Sequence, residues 1–144
     1  MKLMSIDYGR RRIGIAVGDT DGTPVHGLTT IDRKKRPDSI SALAALVEHE
    51  APQRLVFGLP LDRNDADTVM SREVRHFAGK LQERTGKEIC FVDESNSSQR
   101  AAELLRFRKK SERQDKGAVD RIAACLILDQ YLREYGCTEN VDTA

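Results

Sequence analysis

Leu3-Met4-Ser5-Ile6-Asp7-Tyr8-Gly9, then Arg10-Arg11-Arg12, then Ile13-Gly14-Ile15-Ala16-Val17-Gly18-Asp19: the chain opens with two apolar runs separated by a glycine and three arginines. The first run reads as a buried strand that stops at a carboxylate, Asp7. In the second, Ile13, Ile15 and Val17 alternate with Gly14, Ala16 and Gly18, so one face of that strand is nearly bare and another element must pack closely on it. Asp21-Gly22 is a hairpin turn signal, and a third strand is expected from about Pro24 to Ile31. Three strands joined by tight turns form an antiparallel meander.

The rest of the chain alternates helices and strands. Arg33-Lys34-Lys35-Arg36 reads as a solvated charge run, after which Asp38 caps a helix with apolar positions Ile40, Leu43, Ala44 and Val47. A fourth strand, Leu55 to Pro60, follows Pro52. Met70, Val74, Phe77 and Leu81 form the stripe of a second helix that stops at Gly86. Strand five, Ile89 to Val92, ends in Asp93-Glu94. A third helix carries Ala101, Leu104 and Leu105, a basic loop spans 106–116, and a helix apolar nearly all round runs from about Gly117 to Tyr135. The order βββαβαβαα predicts an α/β fold: a mixed five-stranded sheet with helices on both faces. Residues 1–135 form one domain, and 136–144 a polar tail.

Of the 144 residues, 33% are charged, yet the net charge is only +1, so any contact with a polyanion must come from local basic patches. No stretch approaches the roughly 18 apolar residues of a membrane span. Met1-Lys2-Leu3 enters a strand without the zones of a secretory signal. Cys90, Cys125 and Cys137 are odd in number and lack metal-ligand spacing. The expectation is a reduced, cytoplasmic protein with no membrane partner.

With strands one, four and five parallel, their carboxyl ends share an edge that carries Asp7 and Glu94, and Asp120 in the first turn of the last helix is the third candidate. Singly, each has a structural explanation: turn formation for Asp7, the start of a loop for Asp93-Glu94, the helix dipole for Asp120. Together, three converging carboxylates repel one another unless cations hold them, and all-oxygen ligands favour Mg2+ or Mn2+. Two such ions about 4 Å apart suit phosphodiester hydrolysis. Asp7, Glu94 and Asp120 are thus both metal-ligand and catalytic candidates. Arg10, Arg11 and Arg12 border that edge and are candidates for phosphate binding, as are Lys109 and Lys110 in the basic loop. His26, His49 and His76 form no pair.

Asp7-Tyr8-Gly9 with Arg12-Ile13-Gly14-Ile15-Ala16-Val17-Gly18-Asp19, Gly58-Leu59-Pro60-Leu61, Asp93-Glu94 and Val119-Asp120 with Ala123-Ala124 resemble, in order and spacing, the motifs of the YqgF-like family. Its members are described as pre-16S rRNA nucleases and as Holliday junction resolvases. The resemblance covers residues 1–135 and implies a ribonuclease-H-like fold. It also implies metal-dependent nuclease chemistry in the cytoplasm, processing of the 5′ end of the small-subunit rRNA precursor, contact with pre-ribosomal particles, and acidic positions at Asp7, Glu94 and Asp120. The family usually has an arginine after Asp-Glu, where this chain has Ser95; Arg100 is the candidate to take its place. Structured RNA is therefore the leading substrate class and branched DNA the second. A non-catalytic ribosome-assembly or nucleic-acid-binding protein is the alternative from another class. A sugar-kinase-type nucleotide site would need a second such domain, for which the chain lacks the length. The oligomeric state stays open; paired cuts in a junction would call for a symmetric dimer.

Overall fold

A computed structural model of the chain describes residues 1–61, 64, 66–94, 97–106, 115 and 117–135. Five strands, β1 (Lys2–Asp7), β2 (Arg12–Asp19), β3 (His26–Asp32), β4 (Arg54–Leu59) and β5 (Glu88–Asp93), form one sheet in the order β3-β2-β1-β4-β5. β1–β2 and β2–β3 are antiparallel; β1–β4 and β4–β5 are parallel. The helices are α1 (Ser39–Glu50), α2 (Val69–Thr85), α3 (Ser97–Leu105) and α4 (Ala118–Tyr135). Element order and strand directions match the sequence reading. The third strand begins two residues later than expected, after Pro24, which has no N–H to give a ladder.

Helix boundaries follow their caps. Asp38 accepts from the Ser41 N–H to start α1, and Thr68 and Ser71 form a reciprocal capping box at α2. Gly86 ends α2 in the left-handed conformation at φ 70°. Ala51 does the same for α1 at φ 52°, ahead of Pro52, in a conformation where glycine has no Cβ to crowd.

Two apolar layers flank the sheet. On one side Met4, Ile6, Ile13, Ile15, Leu55 and Phe57 pack under α1 and α2 against Leu43, Val47, Val74, Phe77 and Leu81. On the other, Leu3, Val56 and Val92 meet Ile127, Leu128 and Tyr131 of α4. The bare face of β2 is where α4 lies: a Cβ on Gly14 would collide with the Asp120 backbone carbonyl, and one on Gly18 would sit 3.2 Å from Leu128. Ser5, fully buried, donates to the Ala124 carbonyl at 2.6 Å and ties β1 to the same helix. Among the described residues no helix is long and apolar enough to cross a membrane.

Candidate active site

Asp7 ends β1 opposite Gly14 in the β1–β2 ladder, on the sheet face that α4 covers. Along β1, Ser5 and Asp7 turn to α4, while Met4 and Ile6 turn to the other layer. Glu94 follows the last pair of the β4–β5 ladder, and its N–H donates to the Leu59 carbonyl at 3.0 Å, which extends the strand pairing one residue. Gly58 leaves the space its side chain needs: a Cβ there would lie 2.8 Å from Glu94 Cδ and Oε2. Asp120 arrives from above because Gly14 lets the first turn of α4 touch the sheet. That turn is fixed by Thr30 of β3, which donates to the Gly117 carbonyl at 2.8 Å and accepts from Arg121 Nη1 at 3.1 Å. Arg121 also pairs with Asp115, whose carboxylate takes the Gly117 N–H.

Asp7 is only 8% exposed, Glu94 is partly buried, and the two carboxyl groups are in side-chain hydrogen-bond contact. Burial is the main reason both titrate high. Asp7 is raised from 3.8 to about 6, with the Glu94 hydrogen bond pulling it down and the charge of Asp120 pushing it up. Glu94 is raised to about 9 by burial, then by the charge of Asp7 and the hydrogen bond to it. Burial and the mutual repulsion of the two groups therefore favour a proton held within the pair. Two acids held together away from water, with only a proton between them, fit a hard divalent cation: the donors are all oxygen, and a cation removes the repulsion that the proton now relieves.

Asp120 stands differently. Its carboxylate lies near enough to Asp7 to be felt electrostatically, but Arg12 Nε donates to Oδ2 at 2.8 Å. Among the described residues no three acid, histidine or cysteine side chains are gathered as a metal cage. The structure thus joins two of the three expected acids and gives the third an arginine partner.

Each of the three arginines has an acidic partner. Arg10 meets Glu73 of α2 at 3.1 Å, Arg11 lies 3.9 Å from Asp32, and Arg12 holds Asp120. Arg10 and Arg11 remain more than half exposed at the rim. Arg100 is exposed in α3. Lys109, Lys110, Ser95, most of the basic loop and the 136–144 tail lie outside the described residues.

One sequence expectation is corrected. Arg33 is not part of a solvated run. Its guanidinium lies over the rings of Tyr8 and Phe77 and donates to the Gly9 carbonyl at 3.0 Å. Its exposed neighbours Lys34, Lys35 and Arg36 do fit that reading. Glu73, which also holds Tyr8, was missed altogether. The one signal in the sequence is that it sits four residues before Phe77, beside the apolar stripe of α2.

The meander, the parallel strands beside it and the acids at their shared edge define a ribonuclease-H-like fold of the resolvase kind. Thermus thermophilus RuvC shares it with a TM-score of 0.56 at 10% identity, over 93% of this chain and 96% of that one. The fowlpox virus Holliday junction resolvase does so with a TM-score of 0.60 at 11% identity, over 93% and 99%. At such identities the likeness is one of fold. A family model, RuvX, described as Holliday junction resolvase, matches residues 1–134. A Synechococcus elongatus protein described as "Putative pre-16S rRNA nuclease" is 36% identical, covering 95% of this chain and 96% of the relative. Proteins with the same description from Oleidesulfovibrio alaskensis and Chromobacterium violaceum are 39% and 38% identical, each covering 92% of this chain. The chain belongs to the RuvX family, as its four motifs indicated.

Proposed function

We propose that this protein is a nuclease that hydrolyses phosphodiester bonds with Mg2+ or Mn2+ held by Asp7 and Glu94, with Asp120 beside them. Its proposed task is maturation of the 5′ end of pre-16S rRNA in the cytoplasm, on pre-ribosomal particles. The observation that carries this reading is the Asp7–Glu94 pair: two enclosed acids in contact, at the edge where β1 and β5 end. The family supports hydrolase chemistry, and the relatives' shared description supports the rRNA substrate.

Asp7 and Glu94 supply a fixed pair of anionic oxygens once their shared proton leaves. A divalent ion bound there would polarise a phosphate and lower the pKa of an attacking water. Asp120 is restrained by Arg12 and by the Thr30 anchor of α4, so it faces the pair without entering it. Arg10 and Arg11 at the rim, with Arg100 on α3, and Lys109 and Lys110 between α3 and α4, are the proposed holds on substrate phosphates. Arg12 borders the same edge and holds Asp120 in this structure.

Branched DNA is the second reading, favoured by the description of the RuvX family itself. Cleavage by the purified protein in Mn2+ compares a 5′-extended 16S precursor with a four-way DNA junction. The expected result is cutting of the RNA that is lost in Asp7→Asn. A symmetric, junction-specific cut would move the assignment to DNA. Equal activity in wild type and Asp7→Asn would remove the catalytic reading and leave a nucleic-acid-binding protein.

A further inference from the structure

The loop from Tyr8 to Arg11 follows Asp7 directly and carries exposed arginines, yet three consecutive residues in it are anchored. Tyr8 donates its hydroxyl to Glu73 Oε2 at 2.7 Å. The Gly9 carbonyl accepts from Arg33 Nη1 at 3.0 Å. Arg10 reaches the same Glu73 carboxylate through Nε and Nη2, each 3.1 Å from Oε1. Arg33 is itself fixed, through Nε to Ser39 Oγ at 3.1 Å and by lying 5.1 Å from the Tyr8 ring centroid and 5.5 Å from that of Phe77. The Tyr8 and Phe77 rings are 4.8 Å apart. The Tyr8 and Phe77 rings belong to the apolar layer on the α1/α2 side of the sheet, and no part of the array belongs to the carboxylate pair.

The array has two physical properties. Glu73 stays ionised, because the Tyr8 hydroxyl and then Arg10 hold its carboxyl below the usual range. Arg10 commits one edge of its guanidinium to Glu73 while its side chain remains 63% exposed. An arginine ordered before its ligand arrives loses less rotamer entropy on binding than a free one. Planar guanidinium groups also serve phosphate oxygens through the edge left open.

We propose that Glu73 and Arg33 are positioning residues for nucleic-acid binding: they fix Tyr8, Gly9 and Arg10 so that Arg10 meets a backbone phosphate of the strand lying over the Asp7–Glu94 edge. This rests on the nuclease reading above. It makes a counter-intuitive demand. An acid on the rim of a polyanion site repels the ligand, so simple electrostatics has Glu73→Ala bind nucleic acid more tightly. Positioning has it bind more weakly.

The test measures anisotropy of a fluorescein-labelled 5′ fragment of 16S precursor RNA in EDTA, followed by steady-state cleavage in Mn2+. Glu73→Ala is expected to weaken binding about fivefold and to raise KM while kcat holds. Arg33→Lys, which keeps the charge and loses the planar fork, shifts in the same direction. In an Arg10→Ala background, Glu73→Ala no longer weakens binding, because the group it positions is gone. Tyr8→Phe keeps the ring on Phe77, removes only the hydroxyl, and gives a smaller loss; it decides the matter if Glu73→Ala melts. Unchanged or tighter binding in Glu73→Ala, or the same loss with and without Arg10, overturns the proposal and leaves the nuclease reading standing. A wild type that neither binds nor cuts the RNA overturns the RNA-nuclease reading on which the proposal rests.

Discussion

Asp7 and Glu94 are acids that the fold keeps neutral longer than the unfolded chain would. Asp7 titrates at about 6 instead of 3.8, and Glu94 at about 9 instead of 4.5, chiefly because both are buried. Between the unfolded and folded values the native state binds more protons than the unfolded one. Stability from these groups is therefore complete below about pH 4 and is lost as pH rises toward 9. A divalent cation replaces the proton and reverses the trend. The expected outcome in differential scanning fluorimetry is a metal-free melting temperature that falls by several degrees from about pH 5 to about pH 9. Asp7→Asn and Glu94→Gln should flatten that slope, and added Mn2+ should stabilise wild type more at the alkaline end. Wild-type and variant curves that run parallel across this range, with no effect of Mn2+, would sink the argument. Asp7 and Glu94 were legible in the sequence because strand order alone brings them together. The role of Arg33 was not. It stands in a four-residue basic run, and the rings that hold it, Tyr8 and Phe77, come from the loop after β1 and from α2.

α4 is the element on which the site depends, and β2 is built to receive it. The period-two pattern of Gly14, Ala16 and Gly18 announced a close-packed neighbour; which helix it would be required the tertiary structure. Two glycines separate fold from function here. At Gly14 an added methyl meets the backbone of Asp120, which cannot rotate aside. Gly14→Ala is expected to cost about 1–3 kcal/mol in urea unfolding, with α4 lifted off β2. At Gly58 the methyl meets side-chain ends only: Ile127 Cδ1 at 2.7 Å and the Glu94 carboxyl group at 2.8 Å. Gly58→Ala should therefore fold with little change in stability while Glu94 is pushed from its place, weakening Mn2+ binding about tenfold by calorimetry. Native metal affinity in Gly58→Ala would show that Glu94 need not lie over β4. The Arg12–Asp120 pair belongs to this scale as well. Each residue was singled out for a different duty, and only the descent of α4 onto β2 makes them partners.

For the molecule as a whole, topology makes the site. β1 opens the chain, β5 lies far along it, and two parallel crossovers bring their carboxyl ends to one edge. That much followed from the alternation of strands and helices, and the sheet order β3-β2-β1-β4-β5 agrees with it. What pattern could not show is the division of labour across the sheet: acids on the α4 face, and the clamp on the arginine loop on the α1/α2 face. Side-chain partners drawn from four elements leave no periodic trace. With a net charge of +1, the whole-molecule field does little to gather a polyanion, so the rim and the edge must supply both recognition and chemistry. On the proposed reading the edge is a cation site, and a crystal soaked in Mn2+ and measured at the manganese absorption edge tests that. An anomalous peak within coordinating reach of both Asp7 and Glu94 is expected, whereas a map empty there at saturating Mn2+, with the two carboxyl groups still paired through their proton, would rule the cation site out.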